Sequence, residues 1–171
     1  MDKKQTVVIF VDNSGSMPPA VRNEAIDLME VFRQKYSVVY VEGDTSITNI
    51  KLFPQKERNK PEKELSVFSD MKKLRQEQRY GGGTNLVEVL KLLRQKMKGM
   101  DVPESHLVVI SDFEMMAAEI SKLPEQAYYM IVNDKPHWAK LPKNIKHFET
   151  FTVEEFTHNT ELQQVRLPIL E

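Results

Sequence analysis

At 171 residues the chain is the size of one domain, long enough to bury well over half of the surface that its unfolded form would expose. It contains no cysteine, which excludes disulfides, thiolate zinc sites and cysteine nucleophiles. A formal net charge of −1 gives no global field to draw the protein to nucleic acid or to an anionic membrane, and the apolar run in "MDKKQTVVIFVD" is too short for a signal or membrane segment, so a cytoplasmic protein is expected.

"TVVIFV" from Thr6 to Val11 is the first of four apolar runs with the length and β-branched or aromatic content of buried strands. Pro18 and Pro19 then suit a helix first turn, and Val21, Ala25, Leu28, Met29 and Phe32 fall on one helical face. "SVVYV" from Ser37 to Val41 is the second run. "EGDTS" reads as a turn, and "TNIKLF" alternates Thr48, Ile50 and Leu52 against Asn49, Lys51 and Phe53, as an antiparallel edge hairpin would. From Pro54 to Arg79 the charges are mixed: Glu57, Glu62, Glu64, Asp70 and Glu77 interleave with lysines and arginines. This favours a solvated face, with room for a helix or two around Leu65 to Leu74, over a phosphate-binding stripe, so no nucleic-acid partner is expected.

"NLVEVLKLLRQKMKG" sets Leu86, Leu90, Leu93 and Met97 on one stripe, with Lys96 and Lys98 in the last turn and Gly99 as a stop. "HLVVIS" from His106 to Ser111 and "AYYMIV" from Ala127 to Val132 complete the four buried runs, and "HFETFTV" from His147 to Val153 reads as a last strand. The tail after Glu161 has no clear period. Continuous apolar strands require cover on both faces, so helices should lie between them. The expectation is a single domain over residues 1–171, with its core at about 6–153 and a tail at about 154–171. Its fold class is α/β: a Rossmann-like, open, mostly parallel sheet with one antiparallel edge strand and helices on both faces.

Three segments end at the carboxyl side of that sheet in small or acidic residues: "DNSGSM" after the first strand, "GGGTN" before the second main helix, and "SDFE" after the strand that starts near Leu107. Together they offer Asp12, Ser14, Ser16, Thr84 and Asp112, all oxygen donors. Two carboxylates and three hydroxyls suit a hard cation held at about 2.0 to 2.1 Å, which describes magnesium better than zinc or copper. Asp-x-Ser-x-Ser lets alternate side chains of a loop converge on one centre, and Gly81, Gly82 and Gly83 allow close backbone approach. In an open α/β sheet, ligands bind beyond the strand carboxyl ends where the strand order reverses.

"DNSGSM", "GGGTN" and the aspartate of "SDFE", in this order on this framework, resemble the metal-ion-dependent adhesion site of von Willebrand factor A domains, and the resemblance spans about Thr6 to Val153. It implies a bound Mg2+, or Mn2+ or Ca2+, with Ser14, Ser16 and Thr84 as direct donors and Asp12 and Asp112 acting mostly through water. It also implies a coordination position left for an aspartate or glutamate of a protein partner, in multi-protein assemblies that include AAA+ ATPases. Many members of that family have glycine after the last aspartate, where Phe113 stands here, so the loop shape after Asp112 is open. Glu114 reads as an acid at a helix amino terminus, or as added negative charge near the metal.

Other readings are weaker on the residues. "GGGTN" is followed by no lysine and does not match a phosphate-binding loop. A magnesium-dependent hydrolase is the alternative function, since a metal between Asp12 and Asp112 could activate water. Haloacid dehalogenase-type enzymes, however, need an aspartate where Ser14 stands, and His106, His137, His147 and His158 show no metal-ligand spacing. Met17, Met115 and Met116 offer either loop packing or an apolar rim for a partner. Trp138 is either a core plug or an interface anchor. The expected function is binding without turnover, with no catalytic residue and no membrane partner.

Overall fold

The computed structural model describes residues 6–44, 47–55, 85–136, 138 and 140–158. Thr84, the glycines before it, the expected helix around Leu65 to Leu74, His137 and the tail beyond residue 158 lie outside the described residues.

The elements run β1 (Thr6–Asp12), α1 (Pro19–Phe32), β2 (Ser37–Gly43), β3 (Ile47–Phe53), α2 (Leu86–Gly99), a 3-10 turn (Glu104–His106), β4 (Leu107–Ser111), α3 (Ala117–Ile120), β5 (Tyr128–Val132), β6 (His147–Phe151) and α4 (Val153–His158). Among the described residues six strands form one sheet in the order β3-β2-β1-β4-β5-β6, parallel throughout except for the β2–β3 edge pair. The expected fold class is the one observed.

The strands carry no polar alternation because both sheet faces are covered. Val7, Ile9 and Val11 of β1 meet Val21, Ala25 and Met29 of α1 on one face, while Val8 and Phe10 meet Leu86, Leu90 and Leu93 of α2 on the other. Val7 to Val11 are fully buried, and each such side chain contributes about 1.5 to 3 kcal/mol on leaving water. Asn85 caps α2 by accepting the Glu88 N–H at 3.3 Å. That helix ends at Gly99, and the turn that closes it puts Asp101 in the left-handed region at φ 59, with the Val102 N–H donating back to Met97 O at 2.9 Å.

Two boundaries differ from the sequence reading. The last strand stops at Phe151, because Thr152 and Glu155 form a reciprocal capping box: the Glu155 N–H donates to Thr152 Oγ1 and the Thr152 N–H to Glu155 Oε1, each at 3.0 Å. Packed structure therefore runs on past Val153, and α4 buries Phe156 edge-on against Phe151 with centroids 5.7 Å apart. On β3, Ile50 and Leu52 share the face of Val41 and Val39 yet remain exposed, while Phe53 is buried under Arg33. No helix among the described residues is long and apolar enough to cross a membrane.

Candidate metal centre

β1 is followed by a connection to β2 on one side, while β4, on its other side, leads away to β5, so the strand order reverses between β1 and β4. The two strands pair in parallel through Val11 and Ile110, which brings Asp12, the last residue of β1, beside Ser111, the last residue of β4. Asp112 follows directly. The crevice expected from the sheet topology is thus flanked by the two aspartates expected from the sequence.

Asp12 fixes the loop after β1. Its Oδ1 accepts the Ser14 N–H at 2.9 Å, and the Met17 N–H donates to Ser14 O at 3.1 Å, which closes a tight turn. Met17 is 1% exposed, so it anchors the loop in the core and is not a rim residue. The turn places Ser14 and Ser16 on one side, where their hydroxyls share a hydrogen bond of 3.1 Å. Ser16 in turn hydrogen-bonds the Asp112 carboxylate.

The loop after β4 is held as firmly. The Glu114 N–H donates to Asp112 Oδ1 at 3.2 Å, and the Phe113 N–H donates to Ser111 Oγ at 3.1 Å. The Ser111 hydroxyl donates to Asp12 Oδ2 at 2.8 Å and so ties the two strand ends together. Phe113 lies at φ 52, the region where glycine is at ease, so the chain keeps a glycine-like loop while carrying a buried ring at that position. From the end of β5, Asn133 Nδ2 donates to Asp112 O at 2.8 Å and to Glu114 Oε1 at 3.3 Å. Glu114 and Met116 are exposed, and Met115 is half-buried against the α2 side of the core. Trp138 packs partly buried on that same side, which favours the core plug.

The structure therefore brings Asp12, Ser14, Ser16 and Asp112 together, and Thr84 lies outside the described residues. Its neighbour Asn85 donates to Asp44 O at 3.2 Å, which seats the start of α2 just beyond the carboxyl end of β2. Ser111 and Asn133 were not among the residues singled out from the sequence.

Burial is the largest influence on both aspartates and raises them above the usual carboxylate range, Asp12 to about 6. The charge of Asp112 adds to the rise at Asp12, whereas hydrogen bonds from Ser14 and Ser111 oppose it. A cation placed between the two carboxylates would reverse both shifts. The donor set fits a hard cation, since the side-chain atoms that converge are the carboxylate oxygens of Asp12 and Asp112 and the hydroxyls of Ser14 and Ser16. A cleft of about 480 Å³, lined by residues that include Lys91, Arg94, Lys98 and Glu104, opens where α2 ends and the chain leads into β4, at the opposite end of the sheet.

No protein-family model and no curated protein sequence matches the chain. Solved structures do. Proximal thread matrix protein 1 from the mussel byssus aligns over 99% of this chain at TM-score 0.56 and 15% identity, and a von Willebrand factor type A protein from Catenulispora acidiphila over 95% at TM-score 0.55 and 14% identity. The chain has the von Willebrand factor A fold. It spans 48% and 42% of those two proteins, so it matches about half of each or less. An aerotolerance-related membrane protein from Bacteroides fragilis, carrying mutations to serine, aligns over 97% of this chain and 98% of its own at TM-score 0.55 and 12% identity. At such identities the likeness concerns the von Willebrand factor A fold alone, and the chemistry of the site has to be argued from this chain's own residues.

Proposed function

We propose that the protein is a divalent-cation-dependent protein-interaction module that works by binding, without turnover. Asp12, Ser14, Ser16 and Asp112, joined by Thr84, hold Mg2+, or Mn2+ or Ca2+ in its place, and an aspartate or glutamate of a protein partner completes the coordination. The observation that carries this reading is the convergence of four oxygen-bearing side chains, Asp12, Ser14 and Ser16 from the loop after β1 and Asp112 from the loop after β4, on the reversal point of the strand order.

The cation would supply the positive charge that draws in and holds the partner's carboxylate. The chain's own residues orient the seat: Ser111 and the Ser14 amide fix Asp12, and the Glu114 amide fixes Asp112. Turnover would need a proton acceptor near the seat. His106 and His147 stand at the amino ends of β4 and β6, the far end of the sheet from Asp12 and Asp112, and His106 is engaged with Thr6 O at 3.0 Å. The partner class we put first is a subunit of a cytoplasmic multi-protein machine, with an AAA+ ATPase as the leading candidate; that choice rests on the resemblance of the motif.

The test is capture of partners on immobilised protein with magnesium, then with excess chelator, with Asp112→Ala run alongside. A protein retained only by the wild type with magnesium supports the proposal, and losing the ion with Asp112 should weaken capture by several kcal/mol, on the order of a thousandfold. Equal retention in all three conditions, or magnesium-dependent cleavage of an aryl phosphate, would refute it.

A further inference from the structure

Asn133 is the residue that reaches the Asp112 turn from a neighbouring strand end. It follows β5, and its side-chain orientation is fixed by chemistry: the Lys135 N–H donates to Asn133 Oδ1 at 2.8 Å, so Nδ2 is the atom that faces Asp112 O at 2.8 Å and Glu114 Oε1 at 3.3 Å. Its backbone is anchored as well, with the Asn133 N–H donating to Phe151 O at 3.0 Å and the Val153 N–H to Asp134 Oδ1 at 2.8 Å. Asn133 is thus a stiff post between the β5–β6 side of the sheet and the turn after β4.

That turn needs an external hold. Phe113 is in the left-handed region, which a bulky residue keeps only where its surroundings over-determine it. Two of the turn's hydrogen bonds, from the Phe113 N–H to Ser111 Oγ and from the Glu114 N–H to Asp112 Oδ1, are made within the turn itself. The amide of Asn133 adds a grip on the Asp112 carbonyl from outside and draws the Glu114 carboxylate toward the end of β5.

We propose that Asn133 is a positioning residue for the cation seat: its Nδ2 bridge between the Asp112 carbonyl and the Glu114 carboxylate fixes where the Asp112 side chain is presented. This rests on the metal-site reading above, and it assigns to Asn133 a role that neither the motif nor the likeness in fold contains. Outer residues that orient ligands in this way typically change metal affinity 10- to 100-fold when lost.

The decisive variant is Asn133→Asp. It has the same shape and still accepts from the Lys135 N–H, but it loses both Nδ2 donations and turns a second oxygen toward two acceptors. Its added negative charge alone would tighten cation binding, so the sign of the change separates positioning from electrostatics. Asn133→Ala serves as a second variant that carries no charge. Two readouts are taken: Mn2+ affinity by electron paramagnetic resonance, and amide hydrogen exchange of Phe113 and Glu114 by NMR in chelator, where no metal takes part.

The expected result is a 10- to 100-fold weaker Mn2+ affinity in both variants, with faster exchange at Phe113 and Glu114 and an unchanged circular dichroism spectrum. Unchanged exchange together with equal or tighter Mn2+ binding by Asn133→Asp would overturn the proposal and leave the metal reading intact. A wild type that does not bind Mn2+ at millimolar concentration would overturn the metal reading, while faster exchange in the variants would still establish the hold of Asn133 on the turn.

Discussion

Phe113 gives a prediction whose sign is set by backbone geometry. The side chain is 1% exposed, and its ring meets Tyr129 edge-on with centroids 5.4 Å apart, so truncation to alanine should cost about 3 to 5 kcal/mol for a buried aromatic. The backbone at φ 52 acts in the opposite direction, because a Cβ in the left-handed region costs about 1 to 2 kcal/mol. Alanine keeps that Cβ and glycine does not. Phe113→Gly should therefore recover about 1 kcal/mol of what Phe113→Ala loses, although glycine is less stable than alanine by about 0.5 to 1 kcal/mol inside regular structure. In urea unfolding followed by circular dichroism, both variants should fall below the wild type, with the glycine variant the more stable of the two. In thermal unfolding the pair should be separated by about 2 to 4 °C for a chain of this size. An alanine variant equal to or more stable than the glycine variant would refute the left-handed turn after Asp112, and with it the fixed presentation of that carboxylate.

Asp12 should make the metal-free protein sensitive to pH. Its pKa is raised from 3.8 in the unfolded chain to about 6, so stability is full below about pH 4, falls as the pH climbs from about 4 to 6, and above that has lost about 3 kcal/mol. Asp12→Asn should flatten that fall in chelator-treated samples, and parallel wild-type and variant curves would contradict it. Magnesium at a hundredfold excess over its dissociation constant should stabilise the wild type by about 2.7 kcal/mol, or roughly 5 to 11 °C in a thermal shift assay, and Asp112→Ala should lose that response. Arg33 is 1% exposed, donates its Nε–H to Pro54 O at 2.9 Å and lies over the Phe53 ring, so Arg33→Ala should cost on the order of 3 kcal/mol in urea unfolding. A loss below about 1 kcal/mol would mean that the edge strand is held by other contacts.

The sheet was legible because its strands are solid apolar runs, which only a doubly covered sheet can use, and the amphipathic helices between them supply the cover. β3 was legible as an edge strand through its turn and alternation. α4 was not read, since "HFETFTV" is rich in aromatic and β-branched residues, and that signal overrode the capping pair Thr152 and Glu155, which was present in the sequence. The short helix α3 offers only four residues, too few for a period. At the site, Asp12, Ser14, Ser16 and Asp112 stood out because two of the spacings lie within one loop and the third follows a buried strand. Ser111 and Asn133 gave no such signal. One reads as the end of a strand, and the other comes 21 residues after Asp112 in the chain, joined to it only because β4 and β5 pair through Ser111 and Ile131.

The hydrogen bonds around the seat divide its oxygens by task. Each oxygen of Asp12 already accepts a hydrogen bond from the protein, from the Ser14 amide and the Ser111 hydroxyl, and Asp112 Oδ1 accepts one from the Glu114 amide. These carboxylates are oriented before any ion arrives, and their remaining lone pairs can still be reached through water. The hydroxyls of Ser14 and Ser16 are bound to one another and lean on the carboxylates, Ser14 on Asp12 and Ser16 on Asp112, and under the proposed function a cation would replace the contact between them on both sides at once. For the proposed cation this would make the serines direct donors and the aspartates anchored counter-charges, the same division that the motif implies. Under the proposed function it would also account for buried carboxylates that weaken the metal-free fold, since a divalent cation bound between Asp12 and Asp112 would remove the penalty that burial places on them. A seat built in this way would couple cation binding to the stability of the strand ends that form it.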